Sequence, residues 1–476
     1  MSKARQIAAA DKLDQASSGK VWIKLVAVVG ATATVLFIPP QHGLSPEGQR
    51  VLAVVVASVL LWATEILPVA VSSLLAIVLL SVSGGAKTPS DAMVGFSSPI
   101  LYFLLGSQVM GAAVMKSGLA ERLAGYLVDR SGGSPGKLVA QLLISMPPMA
   151  FLIPSAINRN TMLIPCYEQV FRSLSIAKGD RLARMVMLTL GLLNPLASSA
   201  FMTGGLAPMT TSTLLGGFTW FRWFALMAAP YYLLIALGGA LIYLLFKPKD
   251  RPAVDRFSIA THRKPLSRDE RTTLAIIVGT TLLWLTDFLH HWNSAIPALI
   301  AGIALMSPRI GLFSWSQFEK MVSWSNFFFL GTSLSLTQAL ISTGAASWFA
   351  QLLLGMLNGS TLSPATLAIF IILVTSAVHL AIPNQAACIS LLIPVITAFA
   401  NATGISPVAA GLIVGIVVDT VILYQVETVT ILLTYETGHF STSDVTKVGM
   451  GMLALTIAVV LLVAIPWWSL LGLSFS

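Results

Sequence analysis

Phe151-Leu152-Ile153-Pro154-Ser155-Ala156-Ile157-Asn158-Arg159-Asn160-Thr161-Met162-Leu163-Ile164-Pro165 is an apolar segment interrupted by a proline and a run of small and polar side chains. It returns in altered form as Leu380-Ala381-Ile382-Pro383-Asn384-Gln385-Ala386-Ala387-Cys388-Ile389-Ser390-Leu391-Leu392-Ile393-Pro394. Aligned without a gap, the two agree at Ile153/Ile382, Pro154/Pro383, Leu163/Leu392, Ile164/Ile393 and Pro165/Pro394, with Thr161/Ser390 a near match. Neither copy suits a smooth membrane helix. Proline breaks the backbone ladder, and the freed N–H and C=O groups are tolerated at membrane depth only where they line a cavity or contact protein. Two such breaks in corresponding halves point to the binding site of a transporter.

The rest of the chain makes a membrane the setting. Its 476 residues are 56% hydrophobic and 10% charged, with mean hydropathy +0.84, where a soluble domain carries about 25% charged residues. Apolar runs of helix-spanning length, separated by short polar loops, indicate helices and not a barrel. The net charge of +9 gathers in the N-terminal segment (Lys3, Arg5, Lys12, Lys20, Lys24) and in one central loop, Lys247 to Arg271. That distribution reads as membrane orientation and not as nucleic-acid binding. It predicts a multi-pass protein of the cell (inner) membrane with the N-terminus in the cytoplasm and a retained first span, Val21 to Pro39. Cys166 and Cys388 lie in apolar surroundings with no CxxC spacing, so neither a disulfide framework nor a metal site is indicated.

Further spans are expected over Val51–Leu67, Val69–Ser83, Phe96–Met115 and Trp223–Phe246, with an amphipathic piece over Ala120–Asp129. Leu138–Ile153 with the broken segment is long enough for a re-entrant hairpin followed by a span. Low helix-former density predicts a second unwound stretch over Asn194–Ser199 and Thr203–Thr213, tied to the site by Ser198, Ser199 and Thr203, and repeated over Asp419–Thr430. Beyond the basic loop the pattern restarts. Leu283-Trp284-Leu285-Thr286-Asp287 repeats Leu61-Trp62-Ala63-Thr64-Glu65 at an offset of 222 residues, and the broken segments sit at an offset of 229. A slowly drifting offset is what a duplication with small loop insertions produces. With the N-terminus and the central loop on one side and an unduplicated first span, the duplicated unit crosses an odd number of times, so its copies are inverted. The expected fold is therefore all-α and polytopic, with inverted structural repeats, about 11 transmembrane helices, two re-entrant hairpins and broken helices. Its parts are 1–45, a first repeat 46–246, a linker 247–271 and a second repeat 272–476.

Trp62-Ala63-Thr64-Glu65-Ile66-Leu67-Pro68, Ser117-Gly118-Leu119-Ala120-Glu121-Arg122-Leu123-Ala124 and Pro466-Trp467-Trp468-Ser469-Leu470-Leu471-Gly472 together resemble motifs of the divalent anion/sodium symporter family. That family carries di- and tricarboxylates and sulfate. The resemblance covers nearly the whole chain after residue 45. It implies secondary active transport by alternating access, sodium as coupling ion, and a homodimer. In the family each broken segment carries a Ser-Asn-Thr motif ten residues before a proline, holding substrate carboxylates, while nearby backbone carbonyls hold sodium. The matching positions here read Ser155-Ala156-Ile157 and Asn384-Gln385-Ala386, of which only Ser155 agrees.

A dianion at the bilayer midplane needs donors and positive potential, which helix N-termini supply at roughly half a charge each. The candidate substrate ligands are Ser155, Asn158, Arg159, Asn384, Gln385 and Thr203. The candidate cation-coupling positions are Ser155, Asn160, Gly204, Gly205, Ala386 and Glu427. Thr161 and Ser390 serve equally well as caps. Arg159 is open to three readings: a bidentate substrate ligand, a fixed charge in place of a coupling cation, or an ion pair with Glu427 or Asp419. Glu427 is a candidate proton carrier. Glu65 and Asp287 read as caps or interfacial ion pairs, His379 as a satisfied core histidine, and Trp220, Trp223, Trp467 and Trp468 as interfacial anchors. No nucleophile triad, metal cluster or phosphate loop suggests an enzyme. The expected function is transport of a small divalent anion by sodium symport, with sodium-independent anion exchange or proton coupling as the alternative and a cation/proton antiporter as the alternative of another class.

Overall fold

The computed structural model describes residues 22–39, 41–120, 122, 135–153, 155–173, 175–247, 265–308, 311–357, 362–382 and 384–476. Every regular element among them is a helix. Seven helices are long and apolar enough to cross a membrane, with further shorter apolar helices beside them. Most of the amphipathic piece expected over 120–129 and most of the basic linker lie outside the described residues.

Helix starts follow the local chemistry. Ser45, Ser363 and Ser406 each precede a proline, and each hydroxyl accepts a hydrogen bond from the backbone three residues on, at Gly48, Thr366 and Ala409. Serine at the cap and proline at the first helical position satisfy or remove donors that have no partner inside the helix. Gly118 and Gly404 end helices in the left-handed region, with φ of 87° and 76°, where a Cβ would be strained. Glu65 ends its helix in the same conformation, its backbone N–H donating to Leu61 O.

The chain divides into two compact units, and each draws on both halves of the sequence. The first contains the described residues up to Ser97 together with Trp324–Met356. Trp62 is its pivot: the ring is fully buried, Nε1 donates to Ser73 Oγ at 3.1 Å, and its centroid lies 4.6 Å from that of Phe329. Thr332 Oγ1 donates to Ser73 O, and Ser335 Oγ accepts from Gly95 N. A Cβ at Gly95 would stand 2.0 Å from Gly331 O, so this approach of two backbones depends on glycine.

The second unit contains Ser98–Ser323 and Leu357–Ser476. Its first part runs α1 (Pro135–Leu152), α2 (Ala156–Ser173), α3 (Arg181–Leu188), a π turn over Thr189–Leu193, α4 (Asn194–Ser199), a gap to Gly205 that holds a 3-10 turn, α5 (Leu206–Leu214) and α6 (Trp220–Phe246). Its last part runs α7 (Pro364–Ala381), α8 (Gln385–Thr403), α9 (Pro407–Thr420), an irregular stretch to Thr428, α10 (Val429–Tyr435) and α11 (Thr442–Val459). Both parts thus contain a helix–break–helix followed by a discontinuous helix. The packing is crossed: α2 lies against α10, and α8 lies against α5 as well as α9. The expected unwound stretch from Asn194 is narrower than its composition suggests. Asn194–Ser199 is helical, because its side chains and carbonyls find partners described below, and the gap is confined to the residues between Ser199 and Leu206.

Three tryptophans read as interfacial anchors are instead core residues. Trp220, Trp223 and Trp468 are 2%, 1% and 0% exposed. For Trp468 and Trp223 the reason is backbone satisfaction, whereas Trp220 packs by its ring alone, stacked on Phe201, Phe224 and Trp284. Pro230, inside α6, has no N–H for the carbonyl of Leu226, and Trp468 Nε1 donates to that oxygen at 2.9 Å. Trp223 Nε1 serves Ser199 O, at the end of α4, at 3.1 Å.

Candidate functional site

The first break joins α1 to α2. Ser155 caps α2, its Oγ accepting from Asn158 N at 3.3 Å. One turn into α2, Arg159 is wholly buried and turns back on the break. Its Nη1 donates to Ile153 O at 2.6 Å, the carbonyl left free where α1 stops. Nε donates to Asn194 Oδ1 at 2.8 Å, and Nη2 to Asn194 O at 2.7 Å and Ser198 Oγ at 3.1 Å. These four acceptors are neutral: two main-chain carbonyls, an amide and a hydroxyl. Neutral oxygens of this kind are also what a hard cation collects. The guanidinium is thus held by oxygens of the kind a cation site is built from.

Asn160, also fully buried, extends the clamp. Its Nδ2 donates to Leu190 O, in the π turn, at 3.1 Å and to Thr430 O, in α10, at 3.4 Å, while its Oδ1 accepts from Asn194 Nδ2 at 2.7 Å. A π turn releases carbonyls from the regular ladder, and Leu190 O is one that Asn160 uses. Close packing holds the neighbouring segment. A Cβ at Gly204 would lie 1.7 Å from Ser198 O, and one at Gly191 2.5 Å from Thr434 Oγ1. Gly205 is extended and opens onto free space. Thr203 lines a small cavity of about 20 Å³ with Ser107, Phe151, Trp220 and Thr281, room for roughly one water.

The second break joins α7 to α8. Asn384 caps α8 through Oδ1, which accepts from Ala387 N at 3.0 Å. Gln385 Nε2 donates to Asp419 Oδ1 at 3.1 Å and to Val418 O at 3.3 Å. The other oxygen of Asp419 accepts from Tyr231 Oη, in α6, at 2.7 Å, and the Ser199 hydroxyl interacts with both groups. Glu427, 2% exposed in the irregular stretch before α10, accepts from Leu423 N at 2.7 Å. The two carboxylates suggested as partners for Arg159 are thus engaged by other groups. Ala386 is buried, and its carbonyl accepts from Ser390 Oγ. His379, read as a core histidine, is 1% exposed with the backbone of Val421 as a polar neighbour, although neither ring nitrogen meets a protein acceptor or donor in regular hydrogen-bond geometry among the described residues.

Side-chain hydrogen bonds run from each break to its neighbours, Arg159 to Ser198 at the first and Gln385 to Asp419 at the second, with Ser199 and Asp419 in electrostatic reach of each other. What stays open are donors at the two helix starts. The side chain of Asn158 and Nδ2 of Asn384 have no protein partner among the described residues, and both residues are partly exposed. No three His, Cys, Asp or Glu side chains cluster for a metal among the described residues. Buried positive charge, two helix N-termini and unspent amide donors suit a small anion.

The family described as the sodium:sulfate symporter transmembrane region matches residues 19–474. The chain belongs to it. Among relatives of this symporter-family chain, a "Membrane protein" of Cupriavidus necator is 25% identical, over 94% of this chain and 92% of that one. An L-tartrate/succinate antiporter of Shigella dysenteriae is 25% identical over 80% of this chain and 84% of its own length. The solved YdaH transporter of Alcanivorax borkumensis covers 80% of this chain and 87% of its own with a TM-score of 0.50 at 16% identity, a likeness of fold. The chain is thus a multi-pass membrane transporter of the family and no enzyme. Sequence reasoning reached Asn194, Ser198 and Ser199 only as members of the second unwound stretch, without a role for each, and missed Tyr231. A signal existed for the first three, since Asn194-Pro195 and Ser198-Ser199 interrupt an apolar run; Tyr231, inside an apolar helix, carried none.

Proposed function

We propose that this chain exchanges small dicarboxylates across the membrane without sodium, the anion binding between the starts of α2 and α8 and Arg159 supplying a fixed positive charge. The observation that carries this reading is the set of four neutral oxygens taken up by the Arg159 guanidinium. A charge already present at the site removes the need to bring one in with each anion. Obligatory exchange follows if an empty, uncompensated site reorients poorly. Relatives that are L-tartrate/succinate antiporters support the same reading. Substrate contacts fall to Ser155, Asn158 and Asn384, with Gln385 held to Asp419 as a positioning residue and Thr203 at the edge. Asn160, Gly204, Gly205 and Ala386 shape the segments that a cation site would use. Residues 46–246 and 272–476 act as two inverted repeats within a homodimer.

Purified protein in vesicles tests this. Labelled succinate should enter vesicles preloaded with unlabelled succinate at the same rate in sodium and in choline, and enter empty vesicles slowly. Uptake into empty vesicles driven by an inward sodium gradient would make the chain a symporter instead, as the family description suggests. Uptake driven by a proton gradient would move the coupling to Glu427.

A further inference from the structure

Away from the breaks, Arg181, Arg184, Lys247 and Lys447 line a surface cleft of about 350 Å³ where α3 and α11 begin and α6 ends. Asp444 is the one carboxylate in its lining, and it is already committed. Its Oδ2 accepts from Ser441 N and Ser441 Oγ at 2.9 Å each, and its Oδ1 lies 3.5 Å from Arg184 Nη1. Arg184 also lies over the Phe246 ring at 5.5 Å, and its Nε is buried without an acceptor. Arg181 spends one donor on Lys247 O at 3.4 Å. The ammonium groups of Lys247 and Lys447 have no partner among the described residues. The cleft therefore holds more positive charge than its own carboxylate balances.

Its surroundings say what kind of anion fits. Leu244 is 76% exposed, Leu245 45% and Met450 53%. Leu244 and Leu245 line the cleft at the end of Trp220–Phe246, one of the longest and most apolar helices, and Met450 lies three residues beyond Lys447 on another, Thr442–Leu470. A cationic cleft bordered by exposed leucines at a helix end lies where headgroups meet hydrocarbon. A free phosphate would use the charges and leave the leucines bare. We propose that this cleft binds the phosphate of an acidic phospholipid, through Arg181 and Lys447 beside Arg184, whose own forks are held by Asp444 and Gly179 O, with its acyl chains against Leu244 and Leu245. Arginine forks match phosphate oxygens bidentately.

The test is thermal melting of the full-length protein in nanodiscs of phosphatidylcholine alone or with increasing phosphatidylglycerol, for wild type, Arg181→Gln/Lys447→Gln, and Lys320→Gln as an exposed-charge control outside the cleft. The Tm of wild type and of the control should rise with phosphatidylglycerol, and the rise should be lost in the double variant, whose Tm in phosphatidylcholine alone stays that of wild type. Retained lipid counted by native mass spectrometry should follow the same order. An equal rise in wild type and double variant, or no preference of wild type for the acidic lipid, overturns the proposal. If inorganic phosphate added to phosphatidylcholine nanodiscs gives the whole rise, the cleft takes a soluble anion and the lipid assignment is wrong.

Discussion

Replacing Arg159 by alanine removes a charge and, with it, the four hydrogen bonds described above. Ile153 O, Asn194 O and Asn194 Oδ1 lose a donor in a buried place, at about 2 kcal/mol each. Ser198 loses less, since its hydroxyl still donates to Pro195 O at 2.8 Å. Against this stands the relief of a desolvated charge, about 3 kcal/mol on insertion scales. The net is a destabilisation of about 3 kcal/mol, concentrated where α1, α2 and α4 meet. Arg159→Lys keeps the charge but offers one nitrogen in place of a fork, so it should retain a reduced exchange rate while Arg159→Ala loses exchange altogether. The freed oxygens make a further mark. Sodium should raise the Tm of Arg159→Ala relative to choline and leave wild type unmoved. Melting curves at one scan rate, with succinate exchange in vesicles, read all three quantities, a fixed scan rate being needed because membrane proteins often unfold irreversibly. If Arg159→Ala melts and exchanges as wild type does, Arg159 is a bystander and the proposed mechanism falls.

Gly204→Ala places a Cβ 1.7 Å from Ser198 O and should abolish exchange and lower expression, whereas Gly279→Ala, with nothing within 4 Å, should match wild type in both. Asp419→Ala takes the acceptor from Tyr231 and Gln385 and should destabilise by about 2–4 kcal/mol, read as a fall in Tm, with Tyr231→Phe costing about 1 kcal/mol and leaving exchange measurable. Trp468→Phe keeps most of the ring but leaves Leu226 O beside Pro230 without a donor. It should lower stability by about 1–3 kcal/mol in detergent, where an interfacial anchor would show no effect.

The breaks were legible because proline amid polar residues leaves few conformations inside an apolar segment. The expected interruptions around Pro154 and Pro383 lie between Leu152 and Ala156 and between Ala381 and Gln385. The extent of the unwound stretches was less legible. Composition marks Asn194–Ser199 as a poor helix, and tertiary partners, Arg159 on Asn194 and Trp223 on Ser199 O, hold it as one. The tryptophans misled for a related reason: an indole at a span end looks the same in sequence whether its N–H faces headgroups or a carbonyl freed by a distant proline. The role of Arg159 was legible only as a set of choices, because three of the four acceptors described come from a segment 35 or more residues away. His379 and the contact of Ser199 and Tyr231 with Asp419 depend on how helices pack, which periodicity does not carry.

The most direct measurement of the central claim is succinate binding to Asn158→Ala, Asn384→Ala and the double variant by calorimetry on purified protein. If both open donors grip one anion, each single change should raise Kd by roughly tenfold, about 1.4 kcal/mol, and the double change should do so by more than either alone. Unchanged Kd in both single variants would contradict a shared site between the two breaks.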